Sequence, residues 1–582
     1  MKPFTFTKAS VLLIGASIVS FTGCNQLNKL VKKQKEIVYN VSPNPIEMHG
    51  DSVQFSVSGK FNPKLFPTKV TATVVPTIKW DGGEKELKPI TLVGDKAVGS
   101  GQKISYDKGG SFNYTSEKFA YEPSMKKAIV VIKVTGGFKK KTKALDPVEI
   151  GDGTIVTPLL VRHDEKGIFA KDNFVKTTPA NQTTHIYYVI NQSVVRPSEM
   201  KSEEMKNFTT NASKYLASQW YELKGIEVSA FASPDGETSK NENLAKDRAN
   251  SAIKAMIEEF KKINKDKNNK FGKEKEQYKI VTTREDWEGF KELVQQSNLA
   301  DKDLIIRVLS MYPDPEQRRK EIKNLSKTYV ELAEKILPKL RRAEIILQAD
   351  KKSRTDEQIK ALCTSTPDSL SVEELLYGAT LFNDLNTKVS IYQAAEKKYG
   401  NDWRTSNNLG VAYLMLNKTK EAEDAFNRAL KTSNGNAIVN NNLGIIEAKK
   451  NNRKMAMEYY NKASGAGKEV NYNKGIIYIA DGKYSDAVSS FGDFNGFNKA
   501  LAQLLSGSAD AVNNTIDNSS DKDLAISYYL KAIAAARKGN TADVVKNLKD
   551  AFNKDASLKE YAKTDAEFLK LKGNSDFESL VK

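Results

Sequence analysis

Residues 226–249 read IEVSAFASPDGETSKNENLAKDRA. Ile226, Val228 and Ala230 alternate with polar neighbours as on a half-buried strand, and Ser233-Pro234-Asp235-Gly236 stops the alternation with turn residues. Leu244, Ala245, Ala249, Ala252, Ile253, Met256 and Phe260 then recur at three- and four-residue spacing, so one helix face is apolar. Arg248 sits at the edge of that face, near the strand end. The stretch therefore predicts a strand, a tight turn and an amphipathic helix.

Gly236, Asn241, Leu244, Arg248 and Ala249 fall in register with the signature of the OmpA/Pal-like peptidoglycan-binding domain, a strand ending in G-H-x-D, then G, then N-x-x-L-x-x-x-R-A. The segment resembles that family. The resemblance implies an α/β domain that holds diaminopimelate, an aspartate taking its ammonium group and the arginine its carboxylate through charge-assisted bonds. Here Ser233 stands at the aspartate position and Ala230-Phe231 replace G-H, which leaves Asp235 as the candidate substitute anion. Ser233, Asp235, Asn241 and Arg248 are thus the candidate peptidoglycan-binding residues. The alternative for Arg248 is a helix-surface arginine paired with Asp247 or with a neighbouring strand end.

Working outward, a strand His185–Asn191 and a helix around Glu203–Tyr221 resemble the family's first elements. Leu340–Leu347, with Arg341-Arg342, resembles its closing strand. The domain is assigned to 183–349 with an extra helical insert at about 262–338. Within the insert Trp287, Phe290 and Leu293 have helical spacing and read as core. Glu285, Asp286 and Glu288 are either structural or an acid/base cluster.

Residues 36–161 carry short alternating runs (Val53, Phe55, Val57; Val70, Ala72, Val74; Ile129, Val131, Ile132) broken by Gly, Pro, Asn and Asp, which predicts an all-β sandwich of the immunoglobulin-like kind. Lys139–Lys143 reads as a basic hairpin end. Before it, Lys2 and Lys8 precede an apolar run, Val11–Val19, too short to span a bilayer. Residues 1–23 therefore read as a signal peptide, and Phe21-Thr22-Gly23-Cys24 resembles a lipobox. That resemblance implies acylated Cys24 as a lipid anchor, followed by a linker over 24–35. Asn25, rather than aspartate, favours the outer membrane; Lys29, Lys32, Lys33 and Lys35, rather than acids, favour a periplasm-facing orientation.

In residues 357–582, Asn407-Asn408-Leu409-Gly410 returns 34 residues later as Asn441-Asn442-Leu443-Gly444, and Gly475 opens a third copy 31 residues on. Ala422, Ala456 and Ala487 follow the glycines by 12 residues, and Phe426, Tyr460 and Phe491 by 16. This pattern resembles tetratricopeptide repeats (TPR), α-helical solenoids in which small residues let helices cross and an aromatic fills the space between repeats. A degenerate unit with Tyr392 and Ala395 is expected before the three copies. One with Gly539, Leu548 and Ala551 is expected after them, then a capping tail from Asp565 to Val581. The resemblance implies a concave protein-binding groove. Asn408, Asn442 and Asn473, two positions before each glycine, contact ligand backbone there, and Arg404 supplies charge. Asparagine at these positions without a ligand is the alternative.

Lys and Arg exceed Asp and Glu by 90 − 72 = 18, which fits either attraction to anionic surfaces or a solvated lysine-rich exterior. An exported chain has no nucleic-acid partner to meet. With Cys24 lipidated, Cys363 has no disulfide mate. No phosphate-binding loop, serine elbow or zinc motif occurs, and His49, His163 and His185 lie far apart, so neither enzyme activity, metal nor cofactor is expected. The expected role is a lipid-anchored envelope scaffold for a secretion or outer-membrane assembly complex, with protein partners on the solenoid and peptidoglycan on the OmpA-like domain. A simple wall tether, or a cell-wall hydrolase or its activator, are the alternatives.

Overall fold

The computed structural model describes residues 22–582. The signal-peptide reading of residues 1–23 falls almost wholly outside them, as does the Cys24 side chain. The chain forms two compact units. One runs to Ala170 and resumes over Glu396–Lys582; the other is Lys171–Ala395.

In the first unit, residues 24–35, expected as a linker, are helical over Thr22–Lys32. Leu27 and Leu30, one turn apart, are buried in the core of the β region. That region is built around strand Thr71–Trp80, which pairs antiparallel with Ile129–Phe138 (Val74 opposite Val134) and with Ile90–Gly94. A separate sheet joins Val38–Ser42, Ser56–Phe61 and Gly110–Thr115. Alternate residues of these strands point inward, and Val57, Phe61, Val74, Ile78, Phe112 and Ile132 share one core. The lysine-rich end is a hairpin, with Lys141–Ala144 paired back on Ile129–Phe138.

The C-terminal part of this unit is a run of helix pairs: Trp403–Met415 with Thr419–Thr432, Ala437–Lys449 with Arg453–Lys462, and Lys468–Ala480 with Tyr484–Phe491. The small and aromatic positions explain the pairing. A Cβ on Gly410, Gly444 or Gly475 would lie 2.5, 2.5 or 2.7 Å from the ring of Phe426, Tyr460 or Phe491, so glycine alone lets each ring pack across the helix crossing. A further pair, Phe497–Leu505 with Ala511–Asp517, stands where the sequence signalled none, ahead of Ala525–Arg537 with Thr541–Lys554. The tail buries Phe568, Phe577 and Val581 against this end.

In the second unit, strand Arg342–Lys352 lies between Gln182–Tyr187 and Tyr221–Ala232, antiparallel to both, and Tyr278–Glu285 adds parallel to Tyr221–Ala232. The parallel pair requires a long crossover, supplied by helix Thr238–Ile263, whose Ala249, Ala252, Ile253, Met256 and Phe260 pack on Val228, Ala230 and Ile345. Helix Glu203–Leu216 ends before Tyr221, which opens the next strand instead of closing the helix. The helical insert expected from about 262 begins later, because Tyr278–Glu285 is claimed by the main sheet; it is a run of short helices between Trp287 and Leu340 with its own core, including Phe290, Val294 and Leu332.

Candidate functional site

The four residues expected to bind peptidoglycan lie within one neighbourhood of the second unit, and each is engaged inside the protein. Arg248 is 1% exposed. Its Nε donates to the Gln192 carbonyl at 3.0 Å, and its two terminal nitrogens to the carbonyls of Phe231 (2.9 Å) and Val189 (3.3 Å). Burial pulls its pKa down to about 10, so it stays charged at neutral pH, balanced by carbonyl dipoles. Ser233 donates to Asp235, and Arg341 clamps both, Nε on Ser233 Oγ at 3.0 Å and a terminal nitrogen on Asp235 at 3.2 Å. Asn241 donates to the Ser233 carbonyl (3.1 Å) and to Glu285 (2.8 Å), whose two oxygens also accept from Arg319 at 2.8 and 2.9 Å. The other two acids of the cluster are paired as well: Asp286 caps helix Trp287–Gln296 and meets Arg342 at 2.6 Å, and Glu288 meets Arg284 at 2.9 Å.

The solenoid's inner face carries a different construction. Asn408, Asn442 and Asn473 each hold one residue of the chain's own segment 162–170 by both main-chain groups. Asn408 Oδ1 accepts from the Ala170 N–H at 2.7 Å while its Nδ2 donates to the Ala170 carbonyl at 2.9 Å. Asn442 does the same to Ile168 (2.9 and 2.9 Å) and Asn473 to Lys166 (2.7 and 3.0 Å). Residues 166, 168 and 170 are the same face of an extended chain, whose side-chain period is two, and one repeat takes one such residue. Asn498, on the helix pair that the sequence did not signal, adds a fourth clamp on Arg162 at 2.9 and 2.8 Å. The segment thus runs against the order of the repeats.

A second row of amides braces the first. Asn407 donates to the Ile168 carbonyl (3.1 Å) and to Asn408 Oδ1 (3.0 Å), and Asn441 to the Lys166 carbonyl (3.1 Å) and to Asn442 Oδ1 (3.1 Å). Asn442 and Asn473 then donate onward to Asn407 and Asn441 at 2.8 and 3.0 Å. Every asparagine in the row is fixed in orientation by its neighbour, as a buried polar network must be. The clamped Ile168 also packs on the cluster of Ile445, Tyr460 and Ile477, and Phe169, between two clamped residues, on that of Val411, Phe426 and Leu443. Asp164 accepts from the Tyr472 hydroxyl at 2.7 Å and from Asn498 at 3.1 Å; burial, then Asp164, drives the Tyr472 pKa up. Arg404 pairs with Asp402 at 2.7 Å at the start of its own helix.

Residues 404–436 match the tetratricopeptide repeat model. No curated protein matches the chain. Solved structures similar to it include PilW, a type IV pilus biogenesis factor, at 17% identity over 39% of this chain and 99% of that one, with a TM-score of 0.27. PilF of Pseudomonas aeruginosa is similar at 14% identity over 38% of this chain and 100% of that one, TM-score 0.29. A tetratricopeptide repeat protein of Parabacteroides merdae is similar at 14% identity over 42% and 98%, TM-score 0.28.

Three parts of the TPR groove escaped the sequence reading. Asn498 follows Asn473 by 25 residues rather than 31 or 34 and precedes Ala500 in place of glycine, so the period does not find it. Asn407 and Asn441 were visible as repeat residues but not as braces. The occupant, 162–170, has no signal at all, because the clamps read main chain. Among the described residues no cluster of His, Cys, Asp and Glu is placed to hold a metal ion, and no helix is long and apolar enough to cross a membrane.

Proposed function

We propose that this protein is a lipid-anchored scaffold of an envelope complex, of the secretion or outer-membrane assembly kind, whose TPR solenoid holds protein segments in extended form. The observation that carries the reading is the asparagine ladder: braced amides aimed at main-chain N–H and C=O groups are machinery for gripping the backbone of a peptide. The lipid anchor at Cys24, the outer-membrane location and the periplasm-facing orientation rest on the lipobox-like Phe21-Thr22-Gly23-Cys24, on Asn25 and on the lysines from Lys29 to Lys35. Residues 36–161 would act as an immunoglobulin-like spacer, supported by inward alternation around one core. Residues 183–349 would be the OmpA-like module, supported by the strand, turn and helix carrying Gly236, Asn241, Arg248 and Ala249 and by a closing strand next to Arg341.

Peptidoglycan contact through Ser233, Asp235, Asn241 and Arg248 belongs to the same proposal. The Arg341 guanidinium is already paired with Asp235 and Ser233 at that turn, and a ligand carboxylate on Arg248 must displace carbonyl oxygens. Affinity purification from gently solubilised envelopes, followed by sedimentation with purified sacculi, tests both halves. A stoichiometric protein partner, lost from the membrane fraction with Cys24→Ser, supports the scaffold. Pelleting with sacculi and no partner favours the plain wall tether.

A further inference from the structure

The TPR groove is not vacant: 162–170 fills it from within the same unit. The fit has a gap. Glu165 Oε2 and the Tyr460 hydroxyl are both buried, and among the described residues neither has a hydrogen-bond partner; burial, then the Glu165 charge, pushes the Tyr460 pKa up. The other Glu165 oxygen meets His163 Nδ1, at 3.4 Å. Elsewhere the fit is specific. A Cβ at residue 167 would lie 3.2 Å from Val411 Cγ1, so glycine fits there without moving Val411 by the few tenths of an ångström that a larger residue demands. An acid belongs at 164, against Tyr472 and Asn498, and an aliphatic–aromatic pair at 168 and 169.

Resting on the scaffold reading, we infer that 162–170 is a tethered stand-in for a partner's segment. The partner presents an extended stretch running against the repeat order, with an acid, then a neutral hydrogen-bond donor, then two residues on a glycine followed by an aliphatic and an aromatic residue. It enters by displacing the stand-in. A neutral amide at the second position removes the buried carboxylate oxygen that Glu165 leaves bare. The tether keeps the groove shut against weaker sequences, since a linked segment competes at an effective concentration in the millimolar range.

The test is fluorescence anisotropy with the full chain and a labelled peptide of sequence VRHDEKGIFAK, residues 161–171. Lys166→Pro with Ile168→Pro removes two N–H donors from the stand-in and leaves the solenoid unchanged. This variant should bind the peptide at least about tenfold tighter than the wild type, by loss of the tethered competitor. Adding Asn442→Ala should abolish that gain, and a peptide with glutamine in place of Glu165 should bind tighter than the parent. A folded double-proline variant that binds no better than the wild type overturns the inference. Should that variant not fold, hydrogen exchange on the wild type decides: saturating glutamine peptide should speed exchange at the amides of Arg162, Lys166, Ile168 and Ala170, and unchanged rates overturn it. A partner recovered from envelopes whose binding ignores Asn442→Ala would defeat this inference and keep the scaffold. Peptide binding gated by the stand-in, with no envelope partner, would do the reverse.

Discussion

Asn442 and Ile168, 274 residues apart, exchange two hydrogen bonds of 2.9 Å, one from the Ile168 amide to Asn442 Oδ1 and one from Asn442 Nδ2 to the Ile168 carbonyl. This is the pairing of two strands performed by one side chain. Asn442→Ala removes both bonds, although the Ile168 carbonyl keeps the 3.1 Å bond from Asn407. The loss should be about 1–3 kcal/mol of local stability, because a partly buried N–H is left unpaired. Native-state hydrogen exchange at the Ile168 amide reads it: the rate should rise on the order of tenfold or more. An unchanged rate would mean that the clamp holds nothing.

Gly444→Ala should destabilise the solenoid by about 1–3 kcal/mol through overpacking, since its Cβ would sit 2.5 Å from Tyr460 Cε1 and the ring is fully buried. Combining it with Tyr460→Leu should recover part of the loss, as smaller bulk relieves the clash. Thermal melts of the single and double variants check this, and a double variant worse than the sum of the singles would refute it.

Arg248→Ala strands the carbonyls of Gln192, Phe231 and Val189 and opens a cavity, so about 2–4 kcal/mol should be lost from the second unit. Arg248→Lys should rescue little, for one ammonium cannot follow three carbonyls with the fork of a guanidinium. Calorimetry of the full chain should show one transition moved down and the other unmoved. The sacculus assay gains a control from this: lost pelleting by Arg248→Ala counts as lost binding only where that transition stays above the assay temperature.

Asp565 lies in the cap, 5% exposed, accepting from the Tyr529 hydroxyl at 2.7 Å and from the Glu567 N–H at 3.0 Å. Burial raises its pKa from 3.8 to about 6, with the Glu567 carboxylate adding to the rise and the two hydrogen bonds and Lys126 opposing it. A carboxyl whose pKa is raised on folding favours the protonated native state. Its contribution is complete below the unfolded value and is lost as pH rises through about 6, by about 3 kcal/mol over the whole window. Asp565→Asn should flatten the dependence of cap stability on pH between 4 and 7, measured by hydrogen exchange of helix Thr541–Lys554; an unaltered slope would rule Asp565 out as its source.

The solenoid was legible because its signal is local and repeated. Gly410 with Phe426 and Gly444 with Tyr460 stand 16 residues apart in each copy, and that spacing is dictated by one helix crossing the next. Legibility stopped at Asn498, where helix Tyr484–Phe491 is short and the register slips. In the second unit, the strand and helix around Ser233 and Arg248 followed from two- and three-to-four-residue periods. The end of helix Glu203–Leu216 did not, because Tyr221 and Leu223 suit either a helix face or a strand until the sheet claims them.

By itself the sequence determined where amides, glycines and aromatic rings recur, since those positions are fixed by contacts within one or two repeats. Only the tertiary structure decided what the amides hold and where Arg248 spends its donors. Asn408 and Ala170 are 238 residues apart, and Arg248 meets carbonyls 17, 56 and 59 residues away. In both cases the group being read is main chain, which every residue except proline offers alike. A side chain that recognises backbone writes its own half of the contact into the sequence and leaves the other half blank.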